Sequence, residues 1–285
     1  MADYKEEFIR ESTIYLTMAS EAQIDLFRIW TETRHCSQQQ VLVIAFDRRA
    51  ATFACSMNIP YVYEDEYAIG NGQDMTFMSE EFLKIGYVKF KVVQSVLDAS
   101  YNVMFSELDI FELDDSICRP GSARIDYSCV HGESGNFDLE IQAEHMYEAT
   151  TELNIGVFFL RSSEVSKSII AEIVECLANQ CGWDQKVFTK LFWDKNCCVR
   201  NDNEGSRIRN VTCSGDYDCP RMRIWNSHYF AAFGGKTVPS DFTDFGLCPT
   251  LVHCNGMTGL ENKLECMSNV TRQFGECLAG YSRSE

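Results

Sequence analysis

Long apolar runs, an excess of basic residues and zinc-type cysteine pairs are all missing from this sequence. No run approaches the roughly 20 apolar residues that a membrane helix needs. There are 25 Lys and Arg against 42 Asp and Glu, and the resulting net charge of -17 argues against nucleic acid or an anionic membrane as the main partner. Cysteines never recur as Cys-x2-Cys, which argues against a zinc module.

Internal repeats and low-complexity linkers are missing as well. The chain has 285 residues, of which 45% are hydrophobic. This predicts a single domain over residues 1–285, with one large core or with one core and a small lobe.

Cysteine, in contrast, is plentiful, with 14 residues. A loop-like region holds Cys197, Cys198, Cys213 and Cys219. Disulfides there would fit an oxidising compartment, as would the glycosylation sequons at Asn210 and Asn269. The segment Met1–Ser12 is too polar for a signal peptide. A lumenal protein would need an anchor or signal that this sequence does not show. We therefore expect that the chain is a fragment, that its gene prediction is too short, or that the protein is cytosolic.

Strands and helices alternate along much of the chain, and Ser20 is a fair N-cap for the first helix. The predicted strands are Ile14–Met18, Val41–Phe46, Ile59–Tyr63, Tyr101–Phe105 and Ile155–Leu160. The predicted helices are 24–30, 48–58, 79–99, 165–177 and 184–192. Residues 118–150 are predicted to form a long loop or a small excursion, and the pattern weakens over 193–247. This order predicts an α/β fold with a mostly parallel central sheet flanked by helices, and with ligands beyond the carboxyl ends of the strands.

An acidic pair, Glu107 and Asp109, follows the strand predicted at Tyr101–Phe105. Side chains alternate in an extended segment, so the two carboxylates should share one face. Carboxylates this close repel each other unless a cation lies between them, and Mg²⁺ or Mn²⁺ prefers such oxygen ligands. The alternative interpretation is a solvated acidic turn.

Lys89 lies in an apolar helical stripe with Val92 and Val93, so it needs an anionic partner or must extend to solvent. The helix from residue 100 back to Lys89 spans about 16 Å. The returning strand from Tyr101 to Glu107 spans about 20 Å. Lys89 should therefore reach the level of the acidic pair, where it suits a metal-bound diphosphate or, alternatively, a salt bridge to Glu107 alone.

Further polar side chains occur at the ends of predicted elements. Asn154 opens the strand that contains Gly156, which permits close approach of another group. Asp184 and Gln185 stand at a helix start, and His253 follows a short apolar run. Asn154, Asp184 and Gln185 can bond sugar hydroxyls, and the imidazole of His253 is a good ligand for Mn²⁺. The alternative interpretations are a turn residue at Asn154, an ordinary N-cap at Asp184 and a structural histidine at His253.

In chain order, these residues fall in blocks that resemble the nucleotide-diphospho-sugar transferase family, which includes glycosyltransferase family 77. Lys89 followed by Tyr101–Leu113 resembles its Lys and Gly-Tyr-Asn-Val-Leu-Phe-Ser-Asp-x-Asp-Val-x-Trp-Leu block. The other matching segments are Val41–Tyr63, Asn154–Ser162, Asp184–Phe188 and His253–Lys263. Glu107 stands where the family usually has Asp, and Ala99-Ser100 replace the usual Gly.

The resemblance implies a GT-A fold, Mn²⁺ (or Mg²⁺), a UDP-sugar donor, a glycan or glycoprotein acceptor, and retention of anomeric configuration. Residues of about 13–110 would bind the nucleotide-sugar, and residues of about 150–265 would bind the acceptor and complete the metal site. The location would be the Golgi lumen if the chain is a fragment of an anchored protein, and otherwise the cytoplasm.

The resemblance also assigns roles to single residues. Asp109 and His253 would bind the metal, and Glu107 would face the metal or the donor ribose. Thr17 would lie near the base, and Lys89 and Lys263 would neutralise the diphosphate. The residues that would contact the transferred sugar or the acceptor are Asn154, Asp184 and Gln185.

Two other functions stay open. A metal-dependent phosphohydrolase or nucleotidyltransferase would need further carboxylates near Asp109, and Asp114 or Asp115 could serve. An inactive sugar-binding scaffold on the same fold is conceivable because Glu107 is one methylene longer than Asp.

Overall fold

The computed structural model describes residues 13–33, 41–69, 78–112, 127–128, 138–143, 153–194, 198–201, 210–213, 222–224, 230–232, 251–254 and 259–281. The sequence predictions that lie outside these residues concern Met1–Ser12, Asp114, Asp115, Cys197, Cys219 and most of 118–150. None of the helices within the described ranges is long and apolar enough to cross a membrane.

The strands form a large sheet and two small ones. Their bounds are β1 Thr13–Ala19, β2 Val41–Ala45, β3 Tyr61–Val62, β4 Asn102–Ser106, β5 Ile110–Glu112, β6 Tyr127–Ser128, β7 Leu139–Ala143, β8 Leu153–Leu160, β9 Cys198–Asn201, β10 Asn210–Cys213, β11 Met222–Ile224, β12 Phe230–Ala232 and β13 Leu251–His253. The large sheet has the order β3-β2-β1-β4-β8-β7-β11-β6. β1 to β4 run parallel, and β8 joins β4 in the antiparallel direction.

Within the described ranges, six α-helices connect or cover these strands. Their bounds are α1 Ile24–Thr33, α2 Arg48–Ser56, α3 Glu80–Asp98, α4 Glu164–Ala178, α5 Asp184–Asp194 and α6 Leu260–Tyr281. Short polar side chains cap their starts: Asp47 accepts a hydrogen bond from the Ala50 N–H, and Ser79 accepts one from the Phe82 N–H. Ser20 caps the single 3-10 turn that precedes α1, so this predicted N-cap is confirmed.

Apolar residues fill both faces of the large sheet, because alternate side chains of each buried strand point to opposite sides. Tyr15 of β1 packs in one cluster with buried residues of α1, α2 and α6, whereas Leu16 packs in a second cluster with α3, α4 and α5. The predicted α/β class, with helices flanking a central sheet that is parallel in its first half, is confirmed.

The three-stranded sheet β12-β13-β5 places β13, from the C-terminal part of the chain, against the segment that follows β4. β13 pairs antiparallel with β5, so that His253 lies opposite Ile110. The N–H of Cys254 donates to the carbonyl oxygen of Asp109 at 3.0 Å. A short ladder therefore joins residues that are more than 140 positions apart in the sequence.

Part of the predicted long loop is wrong: Leu139–Ala143 is β7, which pairs with β8 inside the large sheet. Its alternation of Leu139 and Ile141 with Glu and Gln is short, and Glu and Gln are poor strand formers, so its partner decides its structure. Short strands also lie within the weak region 193–247. Helix α6 was not predicted from the sequence, although its start carries Lys263.

Candidate functional site

A cavity of about 410 Å³ opens at the carboxyl ends of β1 and β4. This is the edge of a parallel sheet at which ligands bind. Its polar lining consists of Gln23, Lys89, Glu107, Asp109, Asp184, Gln185 and Lys263. Its apolar lining includes Met18, Phe82, Ile85 and Trp183. The cavity can therefore offer both ionic and apolar contacts to a ligand.

Glu107 and Asp109 lie on a turn, because the Ile110 N–H donates to the Glu107 carbonyl oxygen. The expectation of an extended segment is therefore wrong, whereas the expectation that both carboxylates face the same side is confirmed, because both line the cavity. The Glu107 N–H donates to the Gly156 carbonyl oxygen at 2.8 Å, which fixes the turn to β8. Asp109 is only 3% exposed, so the alternative of a solvated acidic turn does not hold for it.

His253 meets both carboxylates at the end of β13. Its Nε2 lies 3.5 Å from Oδ1 of Asp109 and 3.9 Å from Oε2 of Glu107. One ligand atom from each of the three side chains lies within 4.8 Å of the others. Gly156 makes room for the ring, since a Cβ there would lie 2.3 Å from Cε1 of His253. The close approach predicted at Gly156 is thus made by the imidazole.

Lys263, in the first turns of α6, is the nearest cationic side chain to this group among the residues that the structure describes. Its Nζ lies 2.7 Å from Oδ2 of Asp109. Burial raises the pKa of the Asp109 carboxyl, but Lys263 and His253 outweigh burial and hold that pKa below its ordinary value. Asp109 is therefore an ionised, buried carboxylate at neutral pH.

Lys89 is 1% exposed, and its closest partner is Asp184, at 2.6 Å between Nζ and Oδ2. Glu107 lies farther away, at 3.8 Å from the same nitrogen. The alternative of a salt bridge to Glu107 alone is therefore wrong, although the predicted arrival of Lys89 at the acidic pair is confirmed. Gly86, one turn before Lys89, allows this contact, because a Cβ there would lie 2.6 Å from Cβ of Asp184. The geometry makes Lys89 the residue that positions Asp184.

The residues fit a divalent cation. Oδ1 of Asp109 is buried and has no hydrogen-bond partner within the described ranges, and it faces Nε2 of His253. An unpartnered buried oxygen is costly, more so when it is charged. Oxygen from two carboxylates with one imidazole nitrogen is a ligand set that suits Mn²⁺. Three carboxyl groups line the cavity against two lysines, and burial raises the pKa of one of these carboxyls, Glu107, so an added cation would favour its charged form.

The remaining predicted residues lie at different depths. Gln185 lines the cavity beside Asp184. Asn154 is buried, and its Oδ1 accepts a hydrogen bond from the Gly156 N–H. Thr17 is fully buried with an unpartnered hydroxyl, and the β1 residue that lines the cavity is Met18. Neither Asn154 nor Thr17 belongs to the cavity lining, and their assigned contacts stay predictions.

Sequence reasoning missed two residues that shape the site. Trp183, directly before α5, contributes an aromatic side chain to the cavity. Gly86 sits inside α3, where Gly is about 1 kcal/mol less favourable than Ala. A glycine in the apolar stripe of a long helix was therefore a detectable signal for close packing. No comparable signal marked Trp183.

Comparison with known proteins gives a family and several distant relatives. The profile of a family described as nucleotide-diphospho-sugar transferase matches residues 36–267. Arabinosyltransferase RRA1 of Arabidopsis thaliana is 26% identical over 229 residues, which cover 76% of this chain and 53% of that protein. Beta-arabinofuranosyltransferase RAY1 of the same plant is 24% identical over 169 residues, which cover 58% of this chain and 30% of that protein. The chain thus spans about half or less of the length of these curated relatives.

Two solved structures are also similar to this chain. Glycosyltransferase GlyE of Streptococcus pneumoniae TIGR4 superposes with a TM-score of 0.49 at 13% identity, covering 95% of this chain and 63% of that chain. A glycosyltransferase involved in the glycosylation of the major capsid of PBCV-1 has a TM-score of 0.48 at 10% identity, covering 90% of this chain and 98% of that chain. Likenesses of this size carry no argument about function.

Proposed function

The chain belongs to the nucleotide-diphospho-sugar transferase family, since the match covers most of its length, and on that premise we propose that it moves a sugar from a UDP-sugar to a glycan or glycoprotein acceptor. We propose further that this transfer depends on a divalent metal ion and retains the anomeric configuration. The family that the sequence blocks predicted is confirmed. The metal is a proposal that the site supports, whereas the UDP donor and the stereochemistry are proposals that rest on the family resemblance.

The convergence of Glu107, Asp109 and His253 is the observation that supports the proposal most directly. These side chains come from two distant parts of the chain: Glu107 and Asp109 line the cavity, and the buried His253 lies against both of them. A nucleotide-sugar carries its negative charge on the diphosphate, so the diphosphate would lie at a cation held by this group. Lys263 adds a positive charge beside Asp109.

With the diphosphate placed there, the residues around the cavity take separate roles. A divalent cation at the three ligands would neutralise the charge that develops on the leaving diphosphate. Asp184 and Gln185 lie at the start of α5, where carboxylate and amide groups can bond hydroxyls of the transferred sugar. Lys89 keeps the Asp184 carboxylate in place. We assign no protein base, because in this kind of retaining transfer the leaving phosphate can take the acceptor proton.

Arabinose is the donor sugar that we propose first. RRA1 and RAY1 both carry arabinosyl names, and both match this chain at low identity. Identity of this level does not fix the sugar, so the other common UDP-sugars belong in the same screen.

A donor screen tests the proposal. The purified chain with Mn²⁺ is incubated separately with UDP-arabinose, UDP-xylose, UDP-galactose and UDP-glucose, and the UDP released as the sugar is transferred to water is measured. We expect release from at least one donor and a fall of about 100-fold or more in Asp109→Asn, which weakens a metal ligand. Asp98→Asn is the matched control, because Asp98 is exposed at the end of α3 and outside the cavity lining; it should retain full activity.

The outcomes separate the competing functions. UDP that protects the chain from thermal unfolding without any donor turnover would favour the inactive scaffold. Hydrolysis of simple phosphodiesters without UDP release would favour the phosphohydrolase. Either result would contradict the transferase proposal.

A further inference from the structure

The disulfide Cys254–Cys266 lies next to the candidate metal site. Cys254 directly follows His253 at the end of β13, and Cys266 lies three residues after Lys263 in α6. Positions i and i+3 share one face of a helix, so Lys263 and Cys266 point to the same side of α6. The bond therefore joins the element that carries the imidazole to the element that carries the lysine.

Three contacts from these two elements end on Asp109. The Cys254 N–H donates to its carbonyl oxygen at 3.0 Å. His253 Nε2 lies 3.5 Å from Oδ1, and Lys263 Nζ lies 2.7 Å from Oδ2. A shift of β13 relative to α6 would therefore change the surroundings of both carboxylate oxygens at once.

Apolar residues of β13 and α6 lie in one buried cluster, and among the described residues the disulfide adds a covalent bond between the two elements. β13 has three residues, and so do its partners β5 and β12. Cys254 and Cys266 are 0% and 2% exposed, so the bond is part of the packed core next to the cavity. The disulfide closes a sequence separation of 12 residues, which restricts the chain between the imidazole and the lysine.

We propose that the Cys254–Cys266 disulfide is a positioning element for metal binding, which holds His253 and Lys263 against Asp109. This inference rests on the proposed function, because it concerns the same cation. It follows that the metal site is complete only in a compartment where disulfides persist, such as the lumen of the secretory pathway.

A second disulfide supplies a matched control. Cys176–Cys181 joins the end of α4 to the segment before α5, and thus lies on the side of the cavity that carries Asp184. Its removal also deletes one covalent bond, but it frees neither β13 nor α6. Loss of stability alone would affect both variants, whereas loss of metal positioning would affect only one.

The experiment compares wild type with Cys254→Ala/Cys266→Ala and Cys176→Ala/Cys181→Ala. Binding of Mn²⁺ alone is measured by titration calorimetry, well below the thermal transition of each protein. Supporting groups around metal ligands typically contribute about 10–100-fold to metal affinity. We therefore expect Mn²⁺ to bind about 10–100-fold more weakly to the first variant, with the second unchanged.

If the first variant is not recovered folded, native wild type is reduced partially. Alkylation and mass spectrometry then report the state of each disulfide. Mn²⁺ affinity should fall in step with the loss of Cys254–Cys266 and recover on reoxidation. Wild-type affinity in the folded variant, or in protein that has lost this bond, would overturn the inference while leaving the proposed function intact. A wild type that binds no Mn²⁺ would overturn the proposed function and the inference with it.

Discussion

Replacement of Gly156 by alanine probes whether His253 must occupy its observed place. A Cβ at position 156 would lie 2.3 Å from Cε1 and 2.9 Å from Nε2 of His253. Carbon atoms in contact stay about 3.5–4.0 Å apart, so the ring must retreat by about 1 Å. The ring is 2% exposed, and overpacking at such a site costs about 1–3 kcal/mol in the free energy of unfolding.

The retreat should weaken metal binding more than it weakens the fold. We expect the affinity for Mn²⁺ to fall about 10–100-fold, because the imidazole would no longer face Oδ1 of Asp109 at the observed distance. Titration calorimetry measures this affinity, and thermal unfolding measures stability in parallel. Gly182→Ala is the control, since a Cβ there would meet only Cγ2 of Val187 at 3.4 Å. Equal Mn²⁺ affinity in wild type and Gly156→Ala would refute the reasoning.

Three other changes have defined outcomes. Lys89→Met should lower the free energy of unfolding by about 3–5 kcal/mol, because Asp184 would lose its buried partner. Denaturant unfolding measures this free energy. Lys91→Met on the same helix is the control: it removes only a 3.5 Å contact to the Gln94 side chain, and the free energy of unfolding should stay within about 0.5 kcal/mol of wild type. Gly86→Ala should reduce the turnover rate about 100-fold by displacing Asp184. A parallel loss of Mn²⁺ affinity would argue against separate roles for Asp184 and the metal ligands. Chelation of divalent ions should lower the melting temperature, and Mn²⁺ at about 100 times its Kd should restore about 2.7 kcal/mol; an unchanged melting temperature would count against a metal site.

The fold could be predicted wherever local signals were long and regular. The strands at 13–19, 41–45, 102–106 and 153–160 and the helices between them follow from apolar runs, helical stripes and N-caps. β7 could not be predicted, because its short mixed pattern forms a strand only against β8. The organisation of residues 1–285 as one domain stays a prediction.

The site was predicted through the order of short blocks rather than through any single residue. Glu107, Asp109 and His253 were each ambiguous alone, and the structure brings them within 4.8 Å. Lys263 was predicted as a site residue although the helix that carries it was not predicted. Its contact with Asp109 appears only in the folded chain.

The sequence by itself determined the alternation of strand and helix, and with it the sheet edge at which an acidic pair must lie. Tertiary structure alone decided which partner each charge takes. Lys89 forms its shorter ion pair with Asp184 and a longer one with Glu107, because Gly86 lets α5 approach α3 closely. Such choices depend on how elements pack across large sequence separations, and periodicity along the chain carries no information about those distances.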